Sequence, residues 1–431
     1  MRYKQSIFNI EIDNIENGKK LFFNSSNCSY VVLDEKYIDY LYNVDTKNIN
    51  IREDEIGRKL YEQGFIVNYE LDEIELIKFK SNLAKYQQKS YNYTIALTLD
   101  CNMACPYCYE KKNNIYMSKE VSDKIIDHID KQIISGIKNI SITWYGGEPL
   151  LAIDLIKKMS KKIISMCNEK ELNYTANIVT NGLLLTEEMA KTLLEYKVTF
   201  AQVTIDGLEK THNNRRITID GSNSFKTIIK NIKNACNIIS IAVRINTDID
   251  NQNEIPQLIT YLHSVLPNDR VKIYVAPVED KKNDGYEGCL NFIDFANFQT
   301  NIFNSFLTKE SVNKFFPSPI SVACGAQCIN SAVIDPNGDV FKCWEQVGLT
   351  KFKIGNIVEG DNNVINLIKF VNMEIPHECY KCKFLPLCLG GCPHARMYNN
   401  NSAACTRNAA SIKTILLKYY NAWCDKKITE G

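Results

Sequence analysis

Apolar and polar residues alternate along Ser6-Ile7-Phe8-Asn9-Ile10-Glu11-Ile12, the period of a half-buried strand. Asn17-Gly18 supplies a turn, after which Leu21-Phe22-Phe23 and then Tyr30-Val31-Val32-Leu33 read as two more strands. Tyr37 to Tyr42 and Glu53 to Gln63 have helical spacing, and Gly64 stops the second helix. Residues 1–90 thus read as a β-rich then helical domain without an acid, base or metal cluster. Its charged end, Asp72 to Lys89, reads as a link.

From Tyr93 onward the period changes. Strand-length apolar runs recur at Thr94–Leu99, Ile140–Tyr145, Ala176–Val179, Phe200–Ile205, Ile239–Ile245 and Val271–Ala276. Amphipathic helical stretches such as Ser118–Ile134, Ile153–Met166 and Thr227–Cys236 separate them. Alternating strand and helix predicts an α/β fold with a parallel sheet and outer helices, here a partial (β/α)6 barrel over 91–277. Functional loops in such folds gather at the C-terminal strand ends. A helical connector, 278–320 with its helix near Phe292–Thr308, leads to a cysteine-rich domain and C-terminal helix at 321–431.

Composition narrows the function classes. A chain of 431 residues with 45% hydrophobic and 23% charged content is of ordinary globular type and long enough for two or three domains. Its formal charge of +1 gives no overall attraction to nucleic acid. No apolar run approaches the ~18 residues that read as a membrane span, and the N-terminus lacks a secretory signal pattern. A cytoplasmic protein with no membrane partner is expected.

Sixteen cysteines in such a chain argue for metal or redox chemistry, because cytosolic thiols stay reduced. Cys28, Cys167, Cys236, Cys289 and Cys424 are scattered and read as small buried side chains. Cys101, Cys105 and Cys108 form a C-x3-C-x2-C group just after the first barrel strand. Three thiolates leave one iron of a four-iron cluster open, since full ligation takes four. A zinc site or a partial ferredoxin motif is the bland alternative, but no fourth ligand closely follows Cys108.

The trio, with Gly146-Gly147-Glu148-Pro149 after the second strand, resembles the radical S-adenosylmethionine enzymes over roughly Thr94 to Pro277. Two glycines let the backbone approach a ligand closely, and Glu148 is an acceptor suited to the ammonium at the methionine end of that cofactor. By the resemblance, Tyr107 packs near the adenine. Thr204, in Thr204-Ile205-Asp206-Gly207, meets the ribose. Arg244, with Arg216 as competitor, pairs with the methionine carboxylate, and Asn181 lines the pocket. The family's chemistry would follow: one electron from the cluster cleaves the cofactor, and the resulting 5′-deoxyadenosyl radical removes hydrogen from an unactivated C–H bond.

The later cysteines, with Cys343 and the run Cys379-x2-Cys382-x5-Cys388-x3-Cys392 followed by Cys405, resemble the SPASM domain of peptide-modifying radical enzymes. The resemblance implies two auxiliary [4Fe–4S] clusters, one on Cys324, Cys328, Cys343 and Cys392 and one on Cys379, Cys382, Cys388 and Cys405. With the first trio this makes three clusters. Two four-cysteine zinc sites have the same arithmetic. Cys324 is the least secure ligand, lying only four positions before Cys328.

The N-terminal domain is similar in element order to the peptide-recognition domains of ribosomal-peptide maturases, which take a precursor's leader as an added strand. A plain cap on the barrel is the alternative. The resemblance as a whole implies an enzyme that forms thioether crosslinks in a precursor peptide, with an external one-electron donor of flavodoxin or ferredoxin type. Carbon–carbon crosslinking and formylglycine formation are rivals within the family. Trp344 counts against the latter, because sulfatase-maturing relatives have aspartate directly after that cysteine. Outside the family, the rival is an iron–sulfur electron carrier.

Overall fold

The apolar runs of the middle segment form one hydrogen-bonded ladder in the computed structural model of the chain. The structure describes every residue except 1, 16–17, 47–49, 88, 109, 111–112, 268, 281–284, 310, 406 and 430–431, and the side chains of 14, 407–410 and 425–429 also lie outside the description. The chain forms two compact units. One comprises Met1–Lys85, Phe292–Cys324 and Met373–Gly431; the other comprises Tyr86–Asn291 and Gly325–Asn372.

In the first unit, the run expected as one strand from Ser6 to Ile12 is split into β1 (Tyr3–Gln5) and β2 (Asn9–Asn14). The break is a turn held by a carboxylate: Glu73 accepts from the Ser6 hydroxyl at 2.6 Å and from the Ile7 amide at 2.9 Å. Strands β3 (Lys20–Asn24) and β4 (Ser29–Leu33) complete an antiparallel sheet in the order β2–β3–β4. Strand β5 (Ile66–Asn68) pairs antiparallel with β1. Asp34 and Asp54 cap the helices Glu35–Tyr42 and Glu55–Glu62, each accepting a first-turn amide.

The segment read as a charged link is the helix Glu73–Tyr86. Its polar residues Glu73, Ser81 and Lys85 are buried, while Phe79 and Leu83 are exposed. The Lys85 ammonium donates to the Met373 carbonyl at 3.0 Å, which offsets its burial. Ile10, Ile12, Leu21 and Phe23 pack with Ile412 and Leu416 of the C-terminal helix Arg407–Thr429, so the two ends of the chain share a core.

The second unit is built on parallel strands β6 (Ser90–Ala96), β7 (Asn139–Tyr145), β8 (Asn173–Thr180), β9 (Val198–Ile205), β10 (Ser240–Thr247) and β11 (Val271–Pro277). They lie side by side in chain order, as expected of a partial (β/α)6 barrel. The first strand ends at Ala96 rather than Leu99, because Thr98 leaves the ladder: its hydroxyl donates to the Ile115 carbonyl at 2.8 Å. Helices Lys119–Ile134, Ile153–Glu169, Glu187–Glu195, Phe225–Ala235 and Ile255–Val265 intervene between strands. Beyond β6 the sheet continues through parallel β12 (Ser331–Ile334), then antiparallel β13 (Asp339–Phe341) and β14 (Gly355–Asn356). Among the described residues no helix is long and apolar enough to cross a membrane.

Candidate active site

Past the end of β6 the chain enters the cysteine loop, which is tied down on two sides. The Ala104 amide donates to the Ile217 carbonyl at 2.6 Å and the Ile219 amide to the Asn102 carbonyl at 3.1 Å, around a bridge between Met103 and Thr218. Asp100 caps the Cys101 amide at 2.8 Å, and the Cys108 amide donates to the Cys105 carbonyl at 3.2 Å. Asn181, past the end of β8, donates to the Asn102 side chain at 2.7 Å and lies 3.8 Å from the Cys101 sulfur. Three thiols on a braced loop are the donor set that a cluster with an open iron takes.

The glycines do approach closely, and what they meet is this loop. A Cβ at Gly146, whose φ is +127°, would stand 2.3 Å from the Thr98 carbonyl oxygen, and one at Gly147 would stand 2.2 Å from that of Asp100. The Gly147 amide donates to Thr98 at 3.0 Å and the Glu148 amide to Asp100 at 2.9 Å. Glu148 is fully buried and accepts from the Leu150 amide, the Thr180 hydroxyl and the Asn181 amide at 2.8–3.0 Å. Burial pushes its pKa up, against the pull of those bonds. Pro149 opens the short 3-10 turn that follows.

A buried network stands behind Tyr107. Its hydroxyl donates to the Asp206 carboxylate at the end of β9, and Arg216 donates back to the Tyr107 oxygen at 3.0 Å. Arg216 lies 3.6 Å from Asp206, and Arg215 pairs with Asp206 at 3.4 Å and with Asp248 at 2.6 Å. Tyr286 also donates to Asp248. Two buried guanidinium groups facing two buried carboxylates balance in charge, which such burial requires. Burial, and then the Asp206 charge, push the Tyr107 phenol well above its ordinary pKa, while Arg216 opposes them. His212 accepts the Asp206 amide at 3.3 Å, and burial pulls its pKa down to about 3, so it is neutral. The Arg216 Nε is buried without a hydrogen-bond partner, an orphan donor beside the loop that suits a polar cofactor.

Thr204 and Arg244 are paired across β9 and β10. The Arg244 Nε donates to Asn246 at 2.8 Å. The structure therefore brings Tyr107 together with Arg216, and Asn181 with Cys101 and Glu148. Sequence reading missed Arg215, Asp248 and Tyr286, whose partners lie far along the chain. It also missed the contact between Tyr145 and Trp344, whose rings stack with centroids 5.4 Å apart.

Of the later cysteines, Cys379, Cys382, Cys388 and Cys405 lie together in the first unit. Burial pushes the thiols of Cys379 and Cys388 up, and each is raised further by Cys382 and Cys405. Successive left-handed residues Leu389, Gly390 and Gly391 turn the chain so that Gly391 bridges Ala404; a Cβ on Gly391 would fall 1.6 Å from the Ala404 oxygen. Among the described residues, no group of three His, Cys, Asp or Glu side chains is arranged to hold a single metal ion. Cys328 and Cys343 are half-buried in the second unit, where the buried Lys342 ammonium donates to the Cys328 carbonyl at 2.7 Å. In the first unit, Cys324 is exposed and Cys392 is half-buried at the start of the short helix Pro393–Met397.

Residues 95–262 match the Radical SAM superfamily model, and the chain contains a radical SAM domain. Among curated relatives, it is 27% identical over 398 residues to the radical SAM cyclopropyl synthase TigE of Paramaledivibacter caminithermalis, covering 84% of this chain and 80% of that one. It is 28% identical over 362 residues to a serine-type anaerobic sulfatase-maturating enzyme of Bacteroides thetaiotaomicron, covering 69% and 80%. Of solved structures, anSMEcpe with bound AdoMet superposes with a TM-score of 0.58 at 20% identity, over 79% of this chain and 100% of that one. Streptococcus suis SuiB bound to precursor peptide SuiA gives 0.54 at 15% identity, over 95% and 99%. Both share the fold.

Proposed function

We propose that the chain is a radical peptide maturase that installs thioether crosslinks, joining a cysteine sulfur to a carbon of another residue in a ribosomally made precursor. The carrying observation is the braced loop of Cys101, Cys105 and Cys108 lying against Gly146 and Gly147. On this reading the three cysteines hold a [4Fe–4S] cluster, and Tyr107, Gly146, Gly147, Glu148, Pro149, Asn181, Thr204, Arg216 and Arg244 surround S-adenosylmethionine. When bound, this pair supplies a carbon radical that takes hydrogen from an unactivated C–H bond.

The chain's own residues orient and hold. Asp206 and Arg216 fix the Tyr107 ring for the adenine. Glu148, held in place by the Leu150 amide, the Thr180 hydroxyl shared between its two oxygens and the Asn181 amide, offers a buried carboxylate to the cofactor's ammonium, whose charge would offset the cost of burial. Thr204 offers a hydroxyl to the ribose and Arg244 a guanidinium to the carboxylate. Cys324, Cys328, Cys343 and Cys392, and separately Cys379, Cys382, Cys388 and Cys405, hold two auxiliary clusters. Residues 1–90 present the edge strands β2 and β4 for the leader, and 91–277, 278–320 and 321–431 are barrel, connector and auxiliary domain. An external flavodoxin- or ferredoxin-type donor supplies electrons.

Each C–S bond removes one C–H and one S–H hydrogen, so a co-expressed precursor should lose ~2 Da per bridge, as expected for a two-hydrogen oxidation. An unchanged mass from protein with full iron content would overturn the reading. Similarity to sulfatase-maturating enzymes over two thirds of the chain favours formylglycine formation as the second reading. The two differ in the product: formylglycine carries an aldehyde, formed from serine by loss of the same two hydrogens or from cysteine with loss of its sulfur, whereas a thioether has no aldehyde and retains the sulfur.

A further inference from the structure

Arg396 is 1% exposed and among the largest fully buried side chains of the protein. Its hydrogen-bond acceptors are uncharged. Nε and Nη2 donate to the Asn401 side-chain oxygen at 3.1 and 2.6 Å, and Nη2 also donates to the Glu374 carbonyl. Among the described residues Arg396 makes no ion pair, and the Glu378 carboxylate accepts the Ala403 amide at 2.7 Å. Burying a guanidinium among neutral partners costs several kcal/mol unless a negative charge stands close.

The candidate charges are thiolates. The Arg396 amide donates to the Cys392 carbonyl at 3.1 Å, and Nη1 lies 3.3 Å from where Gly390, two residues past Cys388, would carry a Cβ. The Gly390 carbonyl accepts the Ala404 amide at 3.0 Å, which brings Cys405 to the same place.

We infer that Arg396 is the buried counter-charge of an iron–sulfur cluster on Cys379, Cys382, Cys388 and Cys405, and that it holds the reduction potential of that cluster up. This rests on the auxiliary-cluster reading above. Net charge and hydrogen bonding are the main protein controls on such potentials. A fixed positive charge favours the reduced, more negative form.

The test is a potential measured by electron paramagnetic resonance during anaerobic redox titration of the full chain, with Cys101, Cys105 and Cys108 all changed to alanine so that only C-terminal iron reports. The signal lost in Cys382→Ser identifies the cluster. At the potential that half-reduces it in the parent, Arg396→Met should lower the reduced-to-oxidised ratio about tenfold, a shift of about 59 mV for one electron. Arg396→Lys should stay close to the parent. Asn401→Asp puts a carboxylate on the guanidinium without removing it and should shift the potential the same way as Arg396→Met, so it decides the matter if Arg396→Met fails to fold. Unchanged potentials in Arg396→Met and Asn401→Asp at parental iron content would leave Arg396 a mechanical staple and overturn the inference. If the parent bears no cluster signal lost in Cys382→Ser, the auxiliary-cluster reading itself fails, and this is seen before any Arg396 variant is compared.

Discussion

The Trp344 ring lies on the Tyr145 ring at 5.4 Å between centroids with only 15° between their planes, joining the end of a barrel strand to the residue after Cys343. Tyr145 is buried, and Cys108, Cys343 and Glu345 all raise its pKa further after burial itself. Trp344 keeps 41% of its surface exposed. A large aromatic side chain, backed by another ring and open on one side, is a rigid contact for a peptide entering the site. Trp344→Ala should lower peptide product by about tenfold while S-adenosylmethionine cleavage without peptide stays near the parental rate, a split expected when positioning rather than chemistry is lost. Equal loss of both activities would assign Trp344 to the cofactor site instead.

Gly147→Ala should lower both stability and iron content at the first site. Its Cβ would overlap the Asp100 carbonyl, backbone that cannot yield without moving the loop into Cys101. A cost of about 1–3 kcal/mol is expected from overpacking of this kind. Thermal unfolding together with iron analysis checks it; a parental iron count would mean that the loop tolerates displacement.

Removing one partner from the buried charge network should cost more than softening it. Asp206→Ala leaves Arg215 and Arg216 under-compensated and should destabilise by about 3–5 kcal/mol, the range for breaking a buried ion pair. Tyr107→Phe removes one hydroxyl and should cost about 1–3 kcal/mol, the penalty for unsatisfied buried partners. Denaturant melts of the two variants give the order directly.

Acid should destabilise the protein in part through His212. Its pKa is depressed to about 3 in the folded chain, against an unfolded value of about 6.5. Below the unfolded value the unfolded chain binds a proton that the folded chain refuses, so this contribution is fully present above about 6.5 and declines as pH falls toward 3. The limiting slope is about 1.4 kcal/mol per pH unit. His212→Gln, which keeps an acceptor for the Asp206 amide, should flatten the profile in that window; an unchanged slope would assign the acid sensitivity elsewhere.

The barrel was legible because six strand-length apolar segments alternate with amphipathic helical stretches, and the cysteine groups stood out because their spacing is local. The helix Glu73–Tyr86 was not legible. Ile74 and Ile77 pack against a core cluster, but its buried residues Glu73, Ser81 and Lys85 are polar and its apolar Phe79 and Leu83 are exposed, which blurs the usual amphipathic signal. The pairing of the N-terminal sheet with Ile412 and Leu416 left no local trace either. In the site, Tyr107 and Glu148 stood within short motifs, whereas Arg215, Asp248 and Tyr286 acquire meaning only once the strand ends converge. The two glycines were read as letting the backbone approach a ligand; the close approach that the structure shows is to the cysteine loop's own backbone.

The sheet order β6–β12–β13 has a consequence for timing. The strand that runs toward Cys101 and the strand that runs toward Cys343 stand two places apart in a single hydrogen-bonded array. The two strands run in opposite directions, and their lateral spacing is that of strands in one sheet, which is stiff. If clusters are held at these two stretches, as proposed above, an electron passing between the stretches would stay within one compact unit, with no hinge to close first.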